Sequence, residues 1–446
     1  MTSTVEPRQA RTDDARPSAV TPATPSAAGP APESGAKRSG RGLEIAYVAA
    51  FFTLYVALLT PVVSTLALKI DALSSDSARA GNLALVTGVG AFFAFVANPL
   101  AGALSDRTTS RLGMRRPWLL WGSLLGAVGL LTVAFAPSIA VVVVGWAIAQ
   151  AAFNGTQAAL QALLPDQVPE HRRARVSGYL GMAQNVAPLV GVALAYVFTA
   201  AHLNQAWMFV IPTLLGLAGV LVLVAVLRDR HLTKGEAGPF RLGAFLKGFW
   251  VSPRKHPDFG WAFAGRFLLL FAFASYNTYQ VYYLLDRFGF DDATALSWQL
   301  RLMVVNALCL VVAATIGGAL SDRTGRRKVF VVTSTVLAAA GLVVFAVAQS
   351  PNVLYGASVL FGAGLGTYFA VDLALVTDVL PNRETEAAKN MGVFNIANAL
   401  PQSLAPAVAP AFLAIGGGDN YVALFVVAAV IAALGAVSTL FIRGAR

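Results

Sequence analysis

Twelve stretches of mostly apolar residues, each long enough to cross a lipid bilayer as a helix, dominate this chain. A bilayer core needs roughly 20 apolar residues per helix, and the 446-residue chain is 57% hydrophobic and only 12% charged. We therefore predict an all-α membrane protein with twelve transmembrane helices. The predicted spans lie near residues 43–68, 81–104, 117–136, 139–164, 175–200, 206–227, 259–285, 298–320, 329–349, 352–380, 390–415 and 420–442.

Lysine and arginine are concentrated in alternate connections between these spans. If the N-terminus is cytoplasmic, 28 of the 33 basic residues fall in the N-terminal tail, the inner connections and the C-terminus. The outer connections contain Lys69, Arg79 and Arg287, while Arg266 and Arg301 lie within spans. Basic residues accumulate on the cytoplasmic side, so we predict a cell-membrane protein with both termini in the cytoplasm. Anionic lipid then explains the net charge of +11 without a nucleic-acid partner.

A repeat with a period of 216 residues divides the chain into two halves. The six residues GALSDR begin at Gly102 and again at Gly318, and a Leu-Pro pair begins at Leu164 and again at Leu380. Each pair of copies follows the corresponding span of its half, as in transporters built from parallel repeats. The Pro- and Ala-rich N-terminus predicts disorder. The predicted parts are a cytoplasmic tail at 1–42, a six-helix bundle at 43–227, a cytoplasmic linker at 228–258 and a second six-helix bundle at 259–446.

The charged motif that follows the second span of each half carries a family resemblance. The two copies read GALSDRTTSRLGMRRP and GALSDRTGRRK. Two six-helix halves with this motif resemble the major facilitator superfamily of transporters, over about residues 43–442. The longer R-x-G-x-R-R-P ending of the first copy resembles the glycoside–pentoside–hexuronide and sucrose–proton symporter branch. The resemblance implies the major facilitator fold and transport by alternating access.

In this family the motif implies a conformational latch that forms while the cytoplasmic side is closed. The glycine lets a neighbouring helix approach, and the aspartate four residues later can face a helix N-terminus and pair with an arginine. The alternative is that the basic residues only set the topology. The predicted latch residues are Gly102, Asp106, Arg107, Gly113 and Arg115 in the first copy and Gly318, Asp322, Arg323, Gly325 and Arg326 in the second.

Two opposite charges lie inside spans at a similar depth. Arg266 in span seven and Asp372 in span ten are each about 10 Å from the cytoplasmic end, at a rise of about 1.5 Å per residue. Because ionisable groups in lipid are costly unless paired, we predict an ion pair. A carboxylate that is alternately paired and released can carry a proton, as the resemblance to lactose-type permeases implies. The alternative is a permanent structural pair, and the first span lacks the aspartate that proton-coupled sugar carriers often have.

Uncharged polar side chains in three spans predict where a solute binds. Gln150, Asn154 and Gln157 are four and three residues apart, so they share one helical face. Amides donate and accept hydrogen bonds, and aromatic rings stack on sugars, so we expect a polyhydroxylated ligand. The alternative is hydrogen bonding between helices without a ligand. The predicted substrate-binding residues are Gln150, Asn154, Gln157, Tyr276, Asn277, Gln280, Asn395 and Asn398.

Together these features predict a secondary active transporter rather than an enzyme, since no nucleophile–base set is recognisable. We favour proton-coupled uptake of a sugar or glycoside by a monomer in the lipid bilayer, with no cofactor and no metal. The alternative is a proton-driven exporter of drugs or secondary metabolites. Its support is Ala187-Pro188-Leu-Val-Gly191, which resembles a degraded form of the drug–proton antiporter motif. A sensor or scaffold without transport is disfavoured by the intact motif aspartates.

Overall fold

The computed structural model describes residues 40–233, 243, 251–379, 387–416 and 420–444, and these form twelve long helices. The tail predicted at 1–42 lies almost entirely outside the described residues. Helix α1 contains a π-helical turn at Pro61–Thr65. The helices are α1 Arg41–Leu73, α2 Asp76–Ser105, α3 Arg116–Ala134, α4 Ile139–Gln167, α5 Glu170–Ala200, α6 Trp207–Val226, α7 Pro257–Phe288, α8 Asp292–Thr324, α9 Arg327–Val347, α10 Val353–Asp378, α11 Ala387–Leu413 and α12 Tyr421–Leu440.

The helices confirm the prediction of an all-α membrane protein. Eleven of those in the described ranges are long and apolar enough to cross a bilayer, and the twelfth, α11, contains three prolines. Several helices extend beyond the predicted spans. For example, α2 begins at Asp76 rather than near residue 81, and α8 begins at Asp292 rather than near residue 298. Apolar residues mark only the part of a helix inside hydrocarbon, whereas backbone hydrogen bonding continues into the polar residues at its ends.

The packing of the helices repeats between the two halves of the chain. In the first half, α4 packs on α2 and α3, and α6 packs on α1 and α3. In the second half, α10 packs on α8 and α9, and α12 packs on α7 and α9. The sequence repeat has the same offset, since α1 begins at Arg41 and α7 at Pro257. Helices α1–α6 and α7–α12 are therefore two versions of one six-helix arrangement.

Two helix pairs make the main contacts between the halves. The internal repeat relates these two pairs, because α2 corresponds to α8 and α5 corresponds to α11. Helix α2 packs against α11, and α5 packs against α8. We call the end of the bundle with both GALSDR copies the motif end. The other end, with the α1–α2 and α7–α8 connections, is called the opposite end. At the opposite end the Tyr282 hydroxyl donates a hydrogen bond to the Ala67 carbonyl at 2.9 Å, across the halves.

Helix α5 is much more exposed near the motif end than near the opposite end. Ser177, Gly178, Gln184 and Asn185 are exposed, and a Cβ built on Gly178 would have no heavy atom within 4 Å. Later residues of α5 are mostly buried or half-buried. Polar side chains that face hydrocarbon are costly, so we infer that Gln184 and Asn185 face the space between the halves and that this space widens towards the motif end.

Glycines allow helices to cross closely within each half. A Cβ at Gly129 of α3 would lie 2.5 Å from the backbone nitrogen of Ala149 in α4. The corresponding crossing in the second half uses Gly341 of α9, where a Cβ would lie 2.8 Å from the backbone nitrogen of Phe361 in α10. Backbone atoms cannot move aside as a flexible side chain can, so these positions require glycine.

We expect Gly129→Ala to destabilise the protein, because its methyl group would overlap the backbone of α4. Overpacking of this kind costs about 1–3 kcal/mol, and thermal unfolding in detergent measures it. Gly356→Ala is the matched control, since a Cβ there has no neighbour within 4 Å and alanine favours helix over glycine by roughly 1 kcal/mol. Equal melting temperatures for the two variants would contradict the packing of α3 on α4.

Candidate functional site

An ion pair between α7 and α10 lies inside the second half. Nη1 of Arg266 contacts Oδ2 of Asp372, whose side chain is only 3% exposed. Nε of Arg266 donates a hydrogen bond to Oδ1 of Asn398 in α11 at 2.6 Å. The guanidinium also lies over the Phe394 ring, 5.0 Å from its centroid. The two charges predicted to pair are therefore paired, and α7, α10 and α11 meet at them.

Both members of this pair are largely buried, so each charge is stabilised mainly by its partner. The Asp372 carboxylate is also close enough to the hydroxyl of Tyr368, one turn earlier on α10, to interact with it. An ion in a low-dielectric interior is strongly destabilised when its partner is removed. Loss or protonation of Asp372 would therefore leave the Arg266 guanidinium with Asn398 and the Phe394 ring as its nearest partners.

A row of amides follows α4 in the first half. Nδ2 of Asn154 donates to Oε1 of Gln150 at 2.9 Å, and Nε2 of Gln157 donates to the hydroxyl of Tyr55 in α1. Exposure increases along the row, from buried Gln150 through half-buried Asn154 and Gln157 to exposed Gln161. Since exposed amides in a membrane-spanning helix avoid lipid, this row borders the space between the halves.

Two residues predicted to bind substrate are instead packed inside the second half. Tyr276 and Gln280 are both buried, and Nε2 of Gln280 donates to the Tyr276 hydroxyl at 2.5 Å. The Tyr276 ring lies 4.7 Å from the Phe345 ring and 5.0 Å from the Phe361 ring. This placement favours the alternative explanation for both residues, hydrogen bonding and packing between helices.

The remaining candidates differ in what the structure describes. Asn277 is half-buried and has no hydrogen-bond partner among the described residues, whereas the side chain of Asn395 lies outside them. Tyr55 was not among the predicted residues, although its hydroxyl accepts a hydrogen bond from the predicted residue Gln157. The exposed amides Gln184 and Asn185 of α5 were not predicted either. Their signal was available, because polar side chains within an apolar span are costly unless they have a partner or a solute to bind.

Arg115 joins three helix ends around the first motif copy. Its Nη2 lies 2.6 Å from Asp106 at the end of α2, and its Nε lies 2.9 Å from Asp166 near the end of α4. Its backbone nitrogen donates to Asp229, which follows α6, at 2.6 Å. Gly113 has φ +110°, and a Cβ there would lie 2.4 Å from the same Asp229 carboxylate. The motif requires glycine at this position for both conformation and space.

Arg327 is the counterpart of Arg115 in the second copy. Its Nη1 lies 2.6 Å from Asp378 at the end of α10, as Arg115 reaches the end of α4. Both arginines follow their motif glycine by two residues, Gly113 and Gly325, and Gly325 ends α8 with φ +65°. Arg326, the predicted latch residue, directly follows Gly325, whereas the side chain that reaches the end of α10 belongs to the next residue, Arg327.

Several other charged residues of the two motif copies are exposed. Asp322, Arg323 and Arg326 are exposed, and no ion pair involves them within the described ranges. Arg107 is exposed and donates to the carbonyl of Ala103 at 2.7 Å. The first glycine of each copy makes no close approach. A Cβ would lie 3.9 Å from Ala158 at Gly102, and 3.5 Å from Ala370 at Gly318.

Comparison with known sequences establishes the family. The pattern of the Major Facilitator Superfamily matches residues 43–300 and 291–446. These two matches cover the described helices, so the chain belongs to the major facilitator superfamily. It is a multi-pass membrane transporter and not an enzyme.

A sugar permease and several solved transporters are similar to this chain. The general alpha-glucoside permease of Schizosaccharomyces pombe is 29% identical over 114 residues, which cover 22% of this chain and only 21% of the permease. The nucleoside transporter NupG superimposes with a TM-score of 0.69 at 13% identity, over 90% of this chain and 99% of NupG. The xylose transporter XylE of E. coli gives 0.63 at 16% identity, over 88% and 96%. At these identities the structures establish the fold.

We expect Arg115→Ala to destabilise the first half, because Asp106 and Asp166 would lose their shared guanidinium, while the backbone bond to Asp229 remains. The Asp106 side chain is 58% exposed, so water compensates for part of the loss, and we expect a cost of about 1 kcal/mol, measurable as a lower melting temperature. Arg111→Ala removes an exposed arginine from the same loop and should change the melting temperature little. A similar loss in both variants would show that only the total positive charge matters.

Proposed function

We propose that this chain takes up a neutral sugar or glycoside together with a proton, by alternating access. The observation that carries the proposal is the arrangement of polar groups in the two halves. The first half offers neutral donors and acceptors at Tyr55, Asn154 and Gln157. The second half offers the self-neutralised Arg266–Asp372 pair. A site with hydroxyl and amide groups and no net charge suits an uncharged polyhydroxylated solute.

The same pair supports proton coupling. While Asp372 is ionised, the Arg266 guanidinium bridges Asp372 on α10 and Asn398 on α11; a proton on Asp372 removes the charge on the α10 side and leaves Arg266 held by Asn398. Because α11 packs against α2 of the other half, a change at the pair reaches the interface that moves in alternating access. The single proton that neutralises Asp372 is then the coupling ion.

We further propose that both termini are cytoplasmic and that the protein works as a monomer in the cell membrane. The asymmetry of lysine and arginine between alternate connections supports this orientation. With it, the motif end faces the cytoplasm, and the widening of the inter-half space towards that end corresponds to an inward-facing state.

The charged motif then acts as a latch in the other state. A Cβ at Gly102 or Gly318 would be in ordinary van der Waals contact with an alanine of its own half; the proposed close approach of a neighbouring helix belongs to the closed state. Exposed Asp322 is available to a new partner, whereas Asp106 would have to share or leave Arg115. The first copy thus starts from a paired aspartate and the second from a solvated one.

Uptake into proteoliposomes with an acidic exterior tests the proposed function. We expect a labelled mono- or disaccharide to accumulate against its gradient, and a protonophore to abolish the accumulation. The screen should include glucosides and a set of dyes. Extrusion of a dye without sugar accumulation would contradict the proposal and support the exporter instead.

We expect Asp372→Asn to abolish proton-driven accumulation while retaining sugar exchange between two sugar-loaded compartments, because an amide cannot release the proton. Retained exchange shows that the variant is folded. Glu170→Gln is the control, since Glu170 is exposed at the start of α5, and its accumulation should be unchanged. Normal accumulation by Asp372→Asn would reduce the Arg266–Asp372 pair to a structural role.

A further inference from the structure

An ion pair joins the two halves at the opposite end. Nη2 of Arg79, in the first turn of α2, lies 2.5 Å from Oδ1 of Asp286, near the end of α7. The side chains are 12% and 19% exposed, so water screens the pair only in part. Among the described residues, the other ion pairs join residues within one half.

Neighbouring groups fix both partners of this pair in place. Arg79 also contacts Asp71 at 3.3 Å, and its guanidinium lies 5.5 Å from the centroid of the Tyr282 ring. On the other side, the hydroxyl of Tyr421 in α12 donates to Asp286. Asp71 and Tyr421 therefore each hold one charged side chain from within its own half, and the Tyr282 ring adds a contact across the interface.

Side chains of the second half also bond to backbone carbonyls of α1 and α2 near this pair. Buried Gln299 of α8 donates through Nε2 to the carbonyl of Val63 at 2.9 Å. Val63 lies within the π-helical turn that begins at Pro61. Proline has no N–H to donate to the preceding turn, and single π-helical turns within α-helices are frequent at functional sites. The Tyr279 hydroxyl similarly lies 3.3 Å from the Ala80 carbonyl.

We propose that Arg79 and Asp286 form an electrostatic lock that holds the opposite end closed. This ion pair must break each time the opposite end opens during the transport cycle. This inference rests on alternating access, which is part of the proposed function, but not on the substrate or the coupling ion. The neutral hydrogen bonds of Tyr279, Tyr282 and Gln299 add to the same contact between the halves.

Charge and position distinguish this pair from ordinary packing. Helix α2 belongs to the first half and packs against α11, while α7 belongs to the second, so any rocking of the halves changes the Arg79–Asp286 distance. Arg287, the next residue on α7, instead donates to the Ala348 carbonyl of its own half. It provides a matched control with the same charge, at the same end, without a bond across the halves.

A labelling experiment in full-length protein tests the lock. In a Cys309→Ser background, Asn277→Cys places the only thiol on α7, at a half-buried site towards the opposite end. A membrane-impermeant maleimide is added to the side of oriented vesicles that carries the α1–α2 connection. The variants are Arg79→Gln, Asp286→Asn, the control Arg287→Gln and the exchange of both charges by Arg79→Asp with Asp286→Arg. The exchange variant also carries Asp71→Asn, because Asp71 lies 3.3 Å from Arg79 and would repel a carboxylate there.

We expect each single neutralisation to raise the labelling rate roughly fivefold or more, the range of a typical coupling between two states. The charge exchange should restore slow labelling, and Arg287→Gln should label like the parent. Slow labelling of the single variants, fast labelling of the exchange, or an equal increase in the control would each overturn the lock. Because labelling requires no transport, failure of sugar uptake leaves this result intact, and failure of the lock leaves uptake intact.

Discussion

An ionised side chain in hydrocarbon is costly unless it is paired or hydrated, and this constraint orders the described part of the structure. The motif charges lie at helix ends, where Arg115 and Arg327 collect carboxylates from neighbouring helices. Deep in the second half, Arg266 and Asp372 neutralise each other. In the described part of the chain, the ion pairs thus lie at the two ends of the bundle and at one central position.

The four helices that join the halves connect these places. Helices α2 and α11 and helices α5 and α8 form the largest contacts between halves. At the opposite end these contacts are reinforced by Arg79 and Asp286. The Asp372 carboxylate on α10 and the Asn398 amide on α11 both bind the Arg266 guanidinium. A change in the charge of Asp372 can therefore affect α11, which packs against the other half.

Much of the fold could be predicted from the sequence, because span length and the repeat follow from bilayer thickness and from duplication. The pairing of Arg266 with Asp372 could also be predicted, since two lone charges at one depth have few other partners. The roles of Tyr276 and Gln280 could not, because helical periodicity gives a direction around the axis but not which neighbour lies there. The same limit explains why Tyr55 was not predicted, since its partner Gln157 is 102 residues away. Arg326 was predicted because it directly follows the motif glycine, whereas the Arg327 side chain pairs with Asp378.

The central claim is that two rigid halves open one end while closing the other. Spin-label distances test it most directly in the Cys309→Ser background, with one label pair at Ala174 and Thr324 near the motif end and another at Ser77 and Ala414 near the opposite end. On moving from acidic to alkaline conditions with a transported sugar present, the account predicts that one distance lengthens as the other shortens. Two distances that stay fixed, or that change in the same direction, would contradict it.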